Sequence, residues 1–128
     1  MNYHFSKTIL CPFEKAVEHV TKNLNDNGFG ILSNIDVRQT LKKKLDVDFR
    51  NYRILGACNP KAAYKALQAE DKIGTMLPCN VILQEKKKNE IEVSAIDPVA
   101  SMQAVENPAI AEVAQTIREK LKKVVDEL

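Results

Sequence analysis

Ile110, Val113, Ala114, Ile117, Leu121, Val124, Val125 and Leu128 recur at the three- and four-residue spacing of one helix face. Mostly polar residues fill the gaps between them. Asn107-Pro108 marks the start, because Asn caps a helix well and Pro loses nothing in a first turn, where its missing N–H has no partner to miss. A long helix with one continuous apolar stripe has to lay that stripe on another layer. The rest of the chain therefore has to supply a surface that accepts it.

That surface is a sheet. Asn2 to Leu10 carries Tyr3, Phe5, Ile9 and Leu10 and predicts a strand. Pro12 suits the first position of a helix bearing Phe13, Ala16, Val17, Val20 and Leu24, with Gly28 as its C-terminal stop. Phe29, Ile31, Ser33 and Ile35 alternate with Gly30, Leu32, Asn34 and Asp36, the period of a second strand. Val37, Leu41 and Leu45 predict a short amphipathic helix, and Phe49 to Ala57 a third strand. After Cys58, Asn59 and Pro60 open another short helix with Ala62, Ala63, Ala66 and Leu67 as its apolar face. A loop around Lys72-Ile73-Gly74 leads into a hairpin, Leu77 to Leu83 followed by Ile91, Val93 and Ala95, with its turn between Lys86 and Asn89. The hairpin's first strand is apolar on both faces, which predicts a central place, with Pro78 near its first residue, where a missing donor is tolerated. Asp97-Pro98 and a short apolar stretch, Val99 to Val105, connect to the long C-terminal helix.

The order predicts a single α+β domain over residues 1–128, an antiparallel or mixed sheet with helices packed on one face. At 128 residues the chain buries about two-thirds of its unfolded surface and needs no disulfide or metal to fold. No glycine-rich strand-to-helix turn is present, which counts against a dinucleotide-binding fold, and no internal repeat is visible.

A net charge of +2, with bases interspersed among acids, gives no electrostatic footprint for nucleic acid. Lys42-Lys43-Lys44 and Lys86-Lys87-Lys88 read as solvated faces and turns, and with three Tyr, four Phe and no Trp a base-stacking platform is not expected. No apolar run reaches the roughly 20 residues that span a bilayer. Three cysteines, an odd number, and no signal-like segment at Met1-Asn2-Tyr3 predict a cytoplasmic protein kept reduced.

The chemistry-bearing feature is a pair of Cys-Asn steps, Cys58-Asn59 and Cys79-Asn80. Cys58 ends a strand beside a helix N-terminus, where the dipole and free N–H groups lower a thiol's pKa. Cys79 begins another strand. If those strands are neighbours, the two sulfurs meet at one end of the sheet, an arrangement suited to a redox dithiol, a soft-metal site or a thiol-ligated cofactor. The competing reading is that both are small core residues. Twenty-one residues apart, they form no C-x-x-C pair, and no second pair completes a four-thiolate zinc site; Cys58 and Cys79 are weak metal candidates at most. Asn59 with the helix after Pro60 can hold an anion or act simply as a cap. Asp97 and Met102 border the same end if the hairpin returns beside it, and Asp97-Pro98 reads equally well as a helix start. His4 and His19 have no sequence-local carboxylate or nucleophile, so no catalytic set is recognised.

Tyr52-Arg53-Ile54-Leu55-Gly56-Ala57-Cys58-Asn59-Pro60-Lys61-Ala62-Ala63, Gly74-Thr75-Met76-Leu77-Pro78-Cys79-Asn80-Val81 and Ser94-Ala95-Ile96-Asp97-Pro98 together resemble family 302 of the domains of unknown function. Gly28-Phe29 and Ile35-Asp36 fit the same pattern, so the resemblance covers nearly the whole chain. It implies a TATA-box-binding-protein-like fold, a name that refers to topology and carries no implication of DNA binding, and a homodimer, in a family with no established activity. It also implies that Cys58 and Cys79 are motif members and Cys11 is not. The sequence thus points to a small homodimeric binding or interaction module. Its pocket is expected near Cys58, Asn59, Cys79, Asn80 and Asp97, and its small-molecule ligand and any cofactor are unidentified. The alternative is a thiol-dependent redox protein, or a soft-metal or haem-like cofactor carrier using Cys58 and Cys79.

Overall fold

The computed structural model describes residues 2–128. Five strands, β1 (His4–Leu10), β2 (Gly30–Asp36), β3 (Tyr52–Cys58), β4 (Cys79–Lys87) and β5 (Glu90–Ile96), form one antiparallel sheet in the order β1-β5-β4-β3-β2. Among them lie α1 (Phe13–Asp26), α2 (Val37–Leu45), α3 (Pro60–Ala69), the one-turn α4 (Pro98–Ser101) and α5 (Pro108–Asp126). The expected α+β class and the long C-terminal helix are both present.

The stripe on α5 is buried as its spacing requires: Ile110, Val113, Ala114, Ile117, Leu121, Val124 and Val125 all face inward. Phe13, Ala16, Val17, Val20 and Leu24 of α1 join them. The sheet meets these helices with Leu55, Val81, Leu83, Ile91, Val93 and Ala95, which are almost wholly removed from solvent. Each such aliphatic side chain contributes about 1.5–3 kcal/mol by burial. Lys7 on β1 ties this layer to the edge, its Nζ donating to the carbonyls of Asp126 (3.1 Å) and Leu128 (2.6 Å).

The central strand is β4, as expected, but for a different reason. Only Cys79, Val81 and Leu83 are buried; Asn80 is exposed and Ile82 and Gln84 are half-buried on the other, helix-free face. Its position comes from hydrogen-bonded neighbours on both sides, not from two-sided burial. On that open face His4 Nδ1 lies 2.8 Å from Ser6 Oγ, which lies 2.7 Å from Ser94 Oγ.

Strand β2 departs from its alternation. A bulge between Ile31 and Ser33 shifts the register, so Ile31 lies opposite Ala57 but Ser33 opposite Gly56. An extra residue reverses the faces of everything after it. Ile35 is consequently exposed, as is Leu32 at the bulge itself, and α2, amphipathic in sequence, buries no residue at all. Pro12 occupies the cap position of α1 rather than its first turn, and the loop after α3 contains a 3₁₀ turn over Ile73–Met76. The hairpin turns at Lys88-Asn89, with Asn89 left-handed (φ 61°) and its N–H donating to Glu85 Oε2 at 2.8 Å. That bond, then one from the Asn51 side chain, holds the Glu85 carboxyl below its ordinary pKa.

Candidate functional site

Strands β3 and β4 are neighbours, and Ala57 lies directly opposite Cys79. The ends of these strands therefore bring Cys58 and Cys79 to one place. Both line a cavity that also has Asn59, Met102 and the inner faces of α3 and α5 as walls. The cavity holds about 410 Å³ of empty space, much of it at an open mouth; the part inside that admits a water-sized body is about 30 Å³. Its wall is almost entirely apolar. Ala62, Ala63 and Ala66 keep α3 slim on one side, and Val113, Ala114 and Ile117 of α5 close the other.

The helix side of the site is built by capping. Asn59 Oδ1 accepts from Ala62 N–H at 3.1 Å and the Asn59 carbonyl accepts from Ala63 N–H at 2.9 Å, which starts α3 at the end of β3. Gly28, left-handed at φ 85°, stands against this cap: a Cβ there would lie 3.3 Å from Asn59 Nδ2. Gly56 is fixed by a second close approach, since a Cβ would collide with Ser33 Oγ and come within 2.8 Å of Pro78 Cγ.

The two thiols differ. Cys79 is buried, and its thiol is pushed up to about 11, first by burial and then by the proximity of Cys58. Cys58 is half-exposed. Cys11 is also half-exposed and packs against the core without lining the cavity.

The remaining expected site residues divide. Asn80 is exposed on the open sheet face, away from the thiols, in a shallow depression shared with His4 and Ser94. Asp97 also lies outside the cavity. One of its oxygens caps α4 by accepting from Val99 N–H at 2.9 Å, and the other pairs with Arg118 Nε at 3.2 Å. The Arg118 guanidinium in turn stands 5.1 Å from the centre of the Phe5 ring. Asp97 thus serves as the helix start its Asp-Pro sequence suggested, while its neighbour Pro98 and the nearby Met102 do reach the cavity. His19 is exposed on α1.

A feature missed in the sequence lies beside the cavity. Lys61 and Lys65 of α3 and Lys120 of α5 flank a groove between the two helices that shares Asn59, Ala62, Val113 and Ile117 with the cavity wall. The four-residue spacing of Lys61 and Lys65 is a signal for a shared face; the contribution of Lys120 needs the tertiary fold. Among the described residues, no group of three or more His, Cys, Asp or Glu is arranged to hold a metal ion. No helix among them is long and apolar enough to cross a membrane.

The profile of the family described as domain of unknown function DUF302 matches residues 5–128. The chain belongs to this family. A crystal structure of an uncharacterised conserved DUF302 protein from Bacillus stearothermophilus has a similar fold, with a TM-score of 0.89 over 98% of each chain at 24% sequence identity. At that identity the likeness speaks for the fold alone. No curated protein matches the chain. The DUF302 motifs that carry the resemblance meet in space at the ends of β3 and β4, where Cys58, Asn59, Pro78 and Cys79 all touch the cavity.

Proposed function

We propose that this DUF302 protein is a cytoplasmic, homodimeric binding module whose small ligand places an apolar group in the cavity between α3, α5 and the ends of β3 and β4. The observation that carries the reading is the cavity itself. It is apolar, bounded by the Cys58-Asn59 and Pro78-Cys79 segments, and walled by alanines that leave room a larger side chain would fill. Support for a dimer comes from β2, α2 and the segment just after α2, where Leu32 is 68% and Leu45 66% exposed and Ile35 and Val47 are also uncovered.

Octanol, an uncharged apolar probe, is expected to bind the wild-type protein in calorimetry. Ala63→Phe, which fills the cavity from α3, is expected to abolish that binding without loss of fold by circular dichroism. Absence of octanol binding in the wild type defeats the pocket reading. Sedimentation equilibrium showing only monomer at micromolar concentration defeats the dimer.

The thiol-dependent reading draws on the same place, because Cys58 and Cys79 share the cavity. A Cys79 thiol pushed up to about 11 is almost wholly protonated near neutral pH and is a poor nucleophile, which counts against a reactive dithiol formed with Cys58.

A further inference from the structure

We infer that the ligand is an amphipathic anion, a slim apolar tail ending in a carboxylate, with its tail in the cavity and its charge on the lysine groove between α3 and α5. The inference rests on the pocket reading above and adds the charge. Its ground is the contiguity of two unlike spaces. Asn59, Ala62, Val113 and Ile117 line both the apolar cavity and the groove, so the two spaces lie side by side. The groove carries three ammonium groups along about 270 Å³ of open space. Lys65 is partly neutralised by Glu112 at 3.7 Å, whereas Lys61 and Lys120 enter no ion pair among the described residues. Two cations outside any ion pair thus stand in a groove that borders an apolar cavity.

The chemistry of that juxtaposition selects the ligand. An apolar cavity alone takes any small hydrophobe, and three surface lysines alone take any anion weakly. Together they favour one molecule bearing both features, because the carboxylate keeps its water and its counter-ions while the tail leaves solvent. Bulky tails are disfavoured: only about 30 Å³ of the interior admits a water-sized body, and the alanines of α3 and the stripe of α5 wall it on two sides. A slim, unbranched tail meets that limit better than a ring.

Calorimetry with octanoate, octanol and acetate on the full chain tests the idea. Octanoate is expected to bind at least tenfold more tightly than octanol, and acetate not measurably. The double variant Lys61→Gln with Lys120→Gln, both at exposed positions, is expected to bring octanoate down to the affinity of octanol while leaving octanol unchanged. Added salt is expected to weaken octanoate and not octanol. Equal binding of octanoate and octanol, unaltered by the lysine variant, overturns the anion inference and leaves the apolar pocket standing. Octanoate binding that survives Ala63→Phe places the molecule elsewhere and overturns the inference. Failure of both probes to bind removes the pocket and the inference together.

Discussion

The same dipeptide occurs twice in this chain and is put to opposite uses. At Cys58-Asn59 the chain leaves a strand and enters a helix, so thiol and amide both turn toward one cavity, Cys58 half-exposed and Asn59 capping α3. At Cys79-Asn80 both residues lie within β4, whose successive side chains point to opposite faces. Cys79 is buried at 8% exposure under the helices, and Asn80 stands in solvent on the open face. A motif shared by two segments therefore does not imply shared contacts. What decides is whether the backbone at that point continues a strand or leaves it.

Substitutions at three of these four positions test the difference, and the largest effect belongs to Cys79. Its thiol ionises near 11 in the fold against an ordinary 9.0. At pH below 9 the thiol is neutral in both states and its contribution is fully present. As pH rises from 9 to 11 the unfolded chain ionises first, so the folded state binds more protons and stability falls. The loss is roughly 2–3 kcal/mol across that window. Urea denaturation of wild type and Cys79→Ala at pH 8 and pH 11 is expected to show this alkaline decline in the wild type and its absence in the variant. At pH 8 the variant itself is expected to be weaker by about 1–3 kcal/mol, from the space left in the core. Parallel alkaline curves for the two proteins count against a buried Cys79.

Asn59→Ala comes next, with about 1 kcal/mol lost as Ala62 N–H loses its acceptor, read as a shift of the urea midpoint at unchanged slope. Asn80→Ala is the smallest, within about ±0.5 kcal/mol, because the side chain is exposed and makes no hydrogen bond within the described residues. If Asn80→Ala proved as costly as Asn59→Ala, the two steps would be alike after all. The open face would then have to be covered in solution.

The sequence foretold some of this and concealed the rest. The α5 stripe was legible because a helix repeats its own periodicity locally, and the Asn59, Asp97 and Asn107 caps were legible because capping reaches only two or three residues ahead. The meeting of Cys58 and Cys79 needed the pairing of β3 with β4, a long-range fact that spacing supports only as a condition. The opposite facing of Asn80 was available in principle, since strand alternation alone separates it from Cys79. The bulge at β2 was not, because Phe29, Ile31, Ser33 and Ile35 read as one unbroken face until Leu32 is seen to slip out of register. The role of Asp97 depended on Arg118, twenty-one residues away on a helix whose polar side gives no hint of its partners.

The pairing of β1 with β5 has a consequence for synthesis. His4 lies opposite Ile96 and Leu10 opposite Glu90, so the first strand made has no partner until most of the chain exists. Each of its ladder bonds closes a loop of some eighty to ninety residues, a late and entropically costly step. No nascent prefix ending before β5 can therefore seat β1, and the apolar Phe5 and Ile9 wait uncovered until then. A ribosome stalled in the middle of this chain would hold a strand in search of an edge, and other strands are the partners it would find first.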